Sequence, residues 1–377
     1  MNIYQFEKHI NHEVFDLIFN GLDLNENAGH PLFNDKSLDA SLEFINKIKN
    51  IINLINDKLS ITKNDGNDYI TTLNGKKLES KCYKFDVLLD KFEFKDIIYS
   101  PGAKLKLTVY NILNSEKLSN DEYDMLYQSS SGGLIWYSTD KVNKRKFKTN
   151  PNKMHIVCFA INGKILIHSF LPIFLHEYLH FYENYNRTKK NNTENFIDNL
   201  NTHKKIYNNK ELQKYLNDKE IKALYRILYV LFYGEDNARI GTLFGHLVSY
   251  NITSLKDFYD NKKYIFYFTE YEKLKEYLDI IRSIDDDIIY YIFYNTNFFR
   301  GKDKLKKDIS LMTSYKVKKW FVNIIELRLK KYYKRGMKFI GRYIQMLNEY
   351  KNDNFISTFT SDEDYNNKFI KQITFKI

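Results

Sequence analysis

The spacing of apolar residues predicts an amphipathic helix in the first part of the chain. Within residues 37–60, apolar side chains recur at intervals of three and four, which is the period of one helix face. Ser37 precedes the pattern and is suited to cap the helix N-terminus. The apolar positions are Leu42, Ile45, Ile48, Ile51, Ile52 and Ile55.

A β-hairpin is predicted within residues 154–170. Two apolar, β-branched runs flank Asn162 and Gly163, and an Asn-Gly pair supplies the two positive-φ residues of a type I′ turn. The second run leads into a helix over residues 171–185, for which Ser169 is the predicted cap. Short strands are expected between residues 84 and 150.

The remainder of the chain is predicted to be mainly helical. Residues 211–250 form two helical segments that break near Gly234, and residues 255–350 have helical periodicity. We expect an α+β, helix-rich fold with a small sheet that contains the antiparallel hairpin. Three regions are predicted: 1–150 (helical and mixed α/β), 151–250 (a core with the hairpin and the helices that follow it) and 251–377 (basic and helical).

Composition favours a globular protein. The 377 residues are 43% hydrophobic with only 14 Gly and 4 Pro, which argues against disordered and fibrous classes. The 2 cysteines form no Cys-x-x-Cys pair, so we expect neither a cysteine-based zinc site nor a disulfide framework. No apolar stretch has the length of a membrane span, and the first residues lack the apolar run of a signal peptide. A cytoplasmic or virion-associated protein is expected.

The segment LPIFLHEYLHFYENY contains the pattern His-Glu-x-x-His at His176, Glu177 and His180. Residues four apart lie on one helix face, so both imidazoles can reach one metal ion. Glu177 is placed to act as a general base on a metal-bound water. The alternative is an ordinary helix with two hydrogen-bonded histidines and a surface glutamate, in which the pattern arises by chance.

A catalytic zinc site needs a third protein ligand, and three residues are candidates. Glu183 lies on the motif's own helix, about 10 Å further along than the first histidine. Glu235 begins a later helical segment, and Arg239, one turn on, can orient its carboxylate. His246 can be a ligand, donate a hydrogen bond to the reaction's oxyanion, or pack in the core. We favour Glu235 as the ligand and keep His246 as a catalytic candidate.

The motif helix, followed by Glu-x-x-Ala at residues 235–238, resembles the gluzincin branch of zinc metallopeptidases. This resemblance implies a zincin-like core, Zn²⁺ held by His176, His180 and Glu235, and Glu177 as general base. It also implies a peptide or protein substrate aligned along an edge strand of the sheet.

The resemblance covers roughly residues 150–250 and extends to phage- and bacterium-encoded proteins of similar composition. Arg239 stands where many gluzincins have Asp. The His-x-x-Gly-x-x-His continuation of the metzincin branch is absent after His180.

Two further functions remain open. Residues 300–343 contain 15 Lys or Arg with interleaved aromatic residues, a pattern that can bind nucleic acid or an acidic protein partner. The net charge of +11 agrees with such a partner, although solvated lysines over a packed aromatic face give the same pattern. The other alternative is a structural or virion protein that keeps the zincin fold without turnover.

Overall fold

The computed structural model describes most of the central part of the chain. Ser37 and Gly234, two predicted helix boundaries, lie outside the described residues. The described residues are 38–62, 66–73, 76–95, 97–100, 102–113, 131–135, 153–165, 167–189, 209–232, 235–295, 309–352 and 370–376.

Helices make up most of the described residues. They are α1 (Leu38–Ile61), α2 (Ile167–Lys189), α3 (Leu212–Tyr215), α4 (Asp218–Phe232), α5 (Glu235–Ser249), α6 (Leu255–Asn261), a 3₁₀ turn (Lys262–Tyr264), α7 (Phe266–Ser283), α8 (Asp286–Asn295) and α9 (Ser314–Asn352). The strands are β1 (Asn67–Leu73), β2 (Lys76–Leu89), β3 (Phe92–Phe94), β4 (Ile97–Ser100), β5 (Ala103–Ile112), β6 (Ser131–Ile135), β7 (Lys153–Ile161), β8 (Lys164–Ile165) and β9 (Ile370–Lys376).

The main sheet is mixed. Its strands follow the order β1-β2-β5-β7-β6, with β8 paired to β7 and β9 paired to β2. The β5–β7 pair is parallel, whereas the other pairs are antiparallel. Strands β3 and β4 form a separate two-stranded sheet. A helix-rich α+β fold with a small mixed sheet is therefore confirmed.

One face of the sheet is buried. Along β5, alternate side chains are buried or partly exposed, so that Leu105, Leu107 and Val109 face the core. On α1, the predicted apolar stripe is buried from Ile45 to Ile55, and Leu42 is half-buried. Phe44 of this helix contacts Tyr178 of α2 with ring centroids 4.6 Å apart. Helices α1 and α2 thus share one apolar core.

The predicted hairpin is confirmed, but it is short. Asn162 and Gly163 have φ values of 51° and 82° and connect β7 to the two residues of β8. The backbone N–H of Gly163 donates to the Asn111 side chain at 2.9 Å, which fixes the turn on the neighbouring strand. Helix α2 already begins at Ile167, so the predicted cap at Ser169 is wrong. After β8, the buried side chains of Phe170, Phe174 and Tyr178 recur every four residues, which is the period of one helix face.

Tertiary contacts divide the described residues into two units. One unit takes the described residues within 194–237 and 268–338, and the other takes those within 29–193, 238–267 and 339–377. The boundaries fall inside three continuous helices, α5, α7 and α9. The division into three regions at 150 and 250 stays a prediction.

In the first unit, the apolar face predicted for α9 is buried. It comprises Val317, Trp320, Phe321, Ile324, Ile325 and Leu329. Among the described helices, none is both long and apolar enough to cross a bilayer.

Candidate metal centre

Helix α2 carries the His-Glu-x-x-His motif on a buried surface. His176 and Glu177 are 8% and 7% exposed, whereas His180 is half-buried. The aromatic side chains of Phe174 and Tyr178 anchor the opposite side of the helix against α1. The motif therefore lies on a rigid element, as a preorganised site requires.

Helix α5 approaches α2 closely through two glycines. A Cβ atom added at Gly241 would lie 2.8 Å from the carbonyl oxygen of Leu175, and one added at Gly245 would lie 2.5 Å from the Cα of Pro172. Both distances are far shorter than ordinary contacts, so only glycine permits this backbone approach. Ala238 of α5 is also buried, but Gly241 and Gly245 are the residues that make the close packing possible.

The approach brings His176, His180 and Glu235 together. Each offers one ligand atom, and these atoms lie within 4.8 Å of one another. The rings of the two histidines are nearly perpendicular, at 85° with centroids 4.8 Å apart. Among the described side chains, this is the group of His, Cys, Asp and Glu that could hold a metal ion.

The donor set fits zinc. Two imidazoles and one carboxylate are the ligands of many catalytic zinc sites, with bonds of about 2.0–2.2 Å and an open fourth position. Tetrahedral ligands at that range lie about 3.3 Å apart, so small side-chain rotations suffice to close the group. His176 and Glu235 are buried, whereas His180 is partly exposed. Solvent therefore reaches the group on the side of His180.

Thr242 lies against the candidate site, although its sequence context predicted no function for it. Its Oγ1 lies 3.1 Å from Nδ1 of His176, and both residues are buried. The same hydroxyl lies 3.5 Å from the carbonyl oxygen of Ala238, one turn earlier in α5. Its place seven residues after Glu235, on the same helix face, is the signal that could have identified it.

Arg239 contacts Phe266, whereas the sequence predicted a pairing with Glu235. Its guanidinium carbon lies 4.9 Å from the ring centroid of Phe266, which is a cation–π arrangement. The predicted pairing of Arg239 with Glu235 stays a prediction. Glu183 is part of α2, but its side chain falls outside those described, so its role as a ligand is also untested.

His246 lies further along α5, beside His168 and Tyr250. Its ring stacks on Tyr250 at 5.7 Å, and Tyr250 also stacks on His168 at 4.7 Å. Burial, with a smaller contribution from His168, lowers the pKa of His246 from 6.5 to about 3. Its Nδ1 is buried and has no hydrogen-bond partner among the described residues. His246 does not belong to the group of residues that could hold a metal ion, and its catalytic role stays a prediction.

In the basic C-terminal segment, the described aromatic side chains are largely inside the protein. Trp320, Phe321, Tyr332 and Tyr343 are buried, whereas Lys330, Lys331 and Lys334 are exposed. The buried aromatics are not available for stacking on bases. Contacts of the exposed lysines with phosphate or an acidic protein partner stay a prediction.

Compared with known proteins, the chain matches no family model, no curated protein and no solved structure. The interpretation of the metal centre therefore rests on the residues of this chain.

Proposed function

We propose that the protein is a zinc-dependent metallopeptidase of the gluzincin type. The observation that carries the proposal is the convergence of His176, His180 and Glu235 from two helices. The sequence pattern required only that the two histidines share a face of α2. Glu235 lies on α5, far along the chain, and nothing in the sequence pattern requires it to lie near the two histidines.

The three residues would hold the ion as a two-histidine, one-carboxylate set. When bound there, zinc lowers the pKa of its water ligand toward neutrality and polarises the scissile carbonyl. Glu177 follows His176 directly in α2 and is buried. As general base, it accepts the proton of the attacking water and passes it to the leaving amine. A metal of purely structural function would not need this carboxylate.

An extended peptide is the substrate class that the surrounding fold favours. In the described sheet, β6 is the outermost strand beside β7, and α2 packs against both strands. Edge strands bind extended peptides through backbone hydrogen bonds. The substrate would thus lie along β6, next to the helix that carries the metal ligands.

Metal analysis of the purified protein is the first test. We expect about one zinc per chain in the wild type, and loss of that zinc in His176→Ala and Glu235→Ala. His155→Ala removes a histidine whose Nε2 lies 3.1 Å from Thr108 on the sheet, and it should retain the metal. A wild-type protein that neither contains zinc nor takes it up would refute the proposal.

Cleavage of a peptide library separates catalysis from binding. Glu177→Gln should retain zinc but lose at least 100-fold in kcat/KM, because the general base is removed. Glu349→Gln makes the same change at an exposed glutamate that accepts a hydrogen bond from Gln345, and it should be as active as the wild type. Zinc binding without any cleavage would favour the structural alternative.

A further inference from the structure

We propose that Thr242 is the positioning residue that keeps the proton of His176 on Nδ1, so that Nε2 is the nitrogen available to a metal. The statement about the proton concerns the metal-free protein. The statement about the metal rests on the proposed function.

The tautomer follows from counting donors. A neutral imidazole has one N–H and one unprotonated nitrogen, and a hydroxyl has one hydrogen and two lone pairs. The 3.1 Å contact between His176 Nδ1 and Thr242 Oγ1 therefore has two forms. Either the imidazole donates to the hydroxyl, or the hydroxyl donates to the imidazole.

The carbonyl group of Ala238 favours the first form. It can only accept a hydrogen bond, and Thr242 Oγ1 lies 3.5 Å from its oxygen. A threonine in a helix commonly donates to the carbonyl four residues earlier. With its hydrogen directed there, the hydroxyl presents a lone pair to His176, and Nδ1 must then carry the proton.

The geometry of α5 keeps the hydroxyl in place. Threonine has few allowed χ1 rotamers in a helix, and Thr242 is only 5% exposed. Gly241, directly before it, allows the α5 backbone to approach Leu175 of α2. The hydroxyl is thus held rigidly against His176, as expected of a residue that orients a metal ligand.

Thr242, which contacts the His176 imidazole, carries no charge, so it adds no negative charge to the site. A carboxylate at position 242 would add a buried charge to a site that already contains the buried carboxyl groups of Glu177 and Glu235. A hydroxyl fixes the orientation of the imidazole without that charge.

The direct test is nitrogen NMR of the metal-free protein with ¹⁵N-labelled histidine, recorded above pH 7. His176→Gln identifies the signals of His176. We expect the wild type to have a protonated Nδ1 and an unprotonated Nε2. Thr242→Val, which keeps the shape but removes the hydroxyl, should lose this preference, whereas Thr242→Ser should restore it. An unchanged tautomer in Thr242→Val would overturn the proposal, as would a protonated Nε2 in the wild type.

A competition titration with a chromophoric chelator tests the consequence for metal binding. Thr242→Val should weaken zinc affinity about 10- to 100-fold, Thr242→Ser should recover most of it, and the absorption bands of the cobalt-substituted protein should shift only in the valine variant. Thr253→Val removes a hydroxyl that donates to Asp257 at 2.9 Å and should leave both readouts unchanged. If the wild type binds no zinc, the proposed function fails, but the NMR result still decides the function of Thr242.

Discussion

Gly245→Ala tests whether the close approach of α2 and α5 assembles the proposed metal centre. The new Cβ would lie 2.5 Å from Cα and 2.7 Å from N of Pro172. Both atoms belong to the backbone of α2, so no side-chain rotation can relieve the contact. Carbon atoms pack at about 3.5–4.0 Å, and the two helices must therefore separate by about 1 Å at this point.

The expected cost follows from two opposing effects. Overpacking of this kind costs about 1–3 kcal/mol, and alanine regains up to about 1 kcal/mol over glycine within a helix. Because the contact is between backbones, we expect the upper range and a net loss of about 1–2 kcal/mol in the free energy of unfolding. The 3.1 Å contact between His176 and Thr242 would be stretched beyond hydrogen-bonding distance.

Gly341→Ala is the matched control. Gly341 is an exposed position of α9, and a Cβ added there meets nothing within 4 Å. Only the helix-propensity gain remains, so this variant should be more stable than the wild type by about 0.5–1 kcal/mol. Its zinc affinity should not change.

Urea denaturation of the metal-free proteins measures the difference, and a chelator competition measures zinc affinity. Gly245→Ala should bind zinc at least tenfold more weakly than the wild type. If its stability and zinc affinity matched those of Gly341→Ala, the close approach would not be what assembles the site.

Two further variants test other parts of the protein. His246 stays neutral down to a pH of about 3 in the folded state, while the unfolded chain takes up a proton below its ordinary pKa of 6.5. Stability should therefore be retained above pH 6.5 and fall by up to about 1.4 kcal/mol per pH unit below it. Thermal unfolding of His246→Phe should show a correspondingly weaker acid dependence, and an equal dependence would contradict the burial. Arg328 is 5% exposed and donates to the carbonyl group of Leu231 near the end of α4. Arg328→Met should lower the free energy of unfolding by about 2 kcal/mol in urea, and a neutral result would show that this bond contributes nothing.

Local patterns identified the parts of the site that depend on nearest neighbours. The Asn162-Gly163 turn follows from the positive φ angles that these residues tolerate. His176 and His180 share a face because of the helical period. Glu235 lies on a second helix, so its place beside the histidines does not follow from the helical period of α2, and the structure brings the three side chains together.

Other features depend on contacts that no local pattern encodes. Thr242 shares a helix face with Glu235, but its contact with His176 follows from the packing of α5 against α2. The parallel pairing of β5 with β7 joins strands that are distant in sequence, so strand periodicity cannot reveal it. The side chain of Asn56 accepts a hydrogen bond from the backbone of Ile165 at 2.8 Å, a contact between α1 and β8 that likewise required the fold.

The pairing of β9 with β2 has a consequence for biosynthesis. Lys84 of β2 lies opposite Lys376, and the ladder continues to Leu89 and Ile370. Since the ribosome delivers the N-terminal part first, this side of β2 stays unpaired until residues 370–376 have been synthesised. Until then, β2 presents unpaired N–H and C=O groups, a template to which other nascent chains can add. The time between the synthesis of β2 and of β9 is therefore the period in which the protein should depend most on chaperones.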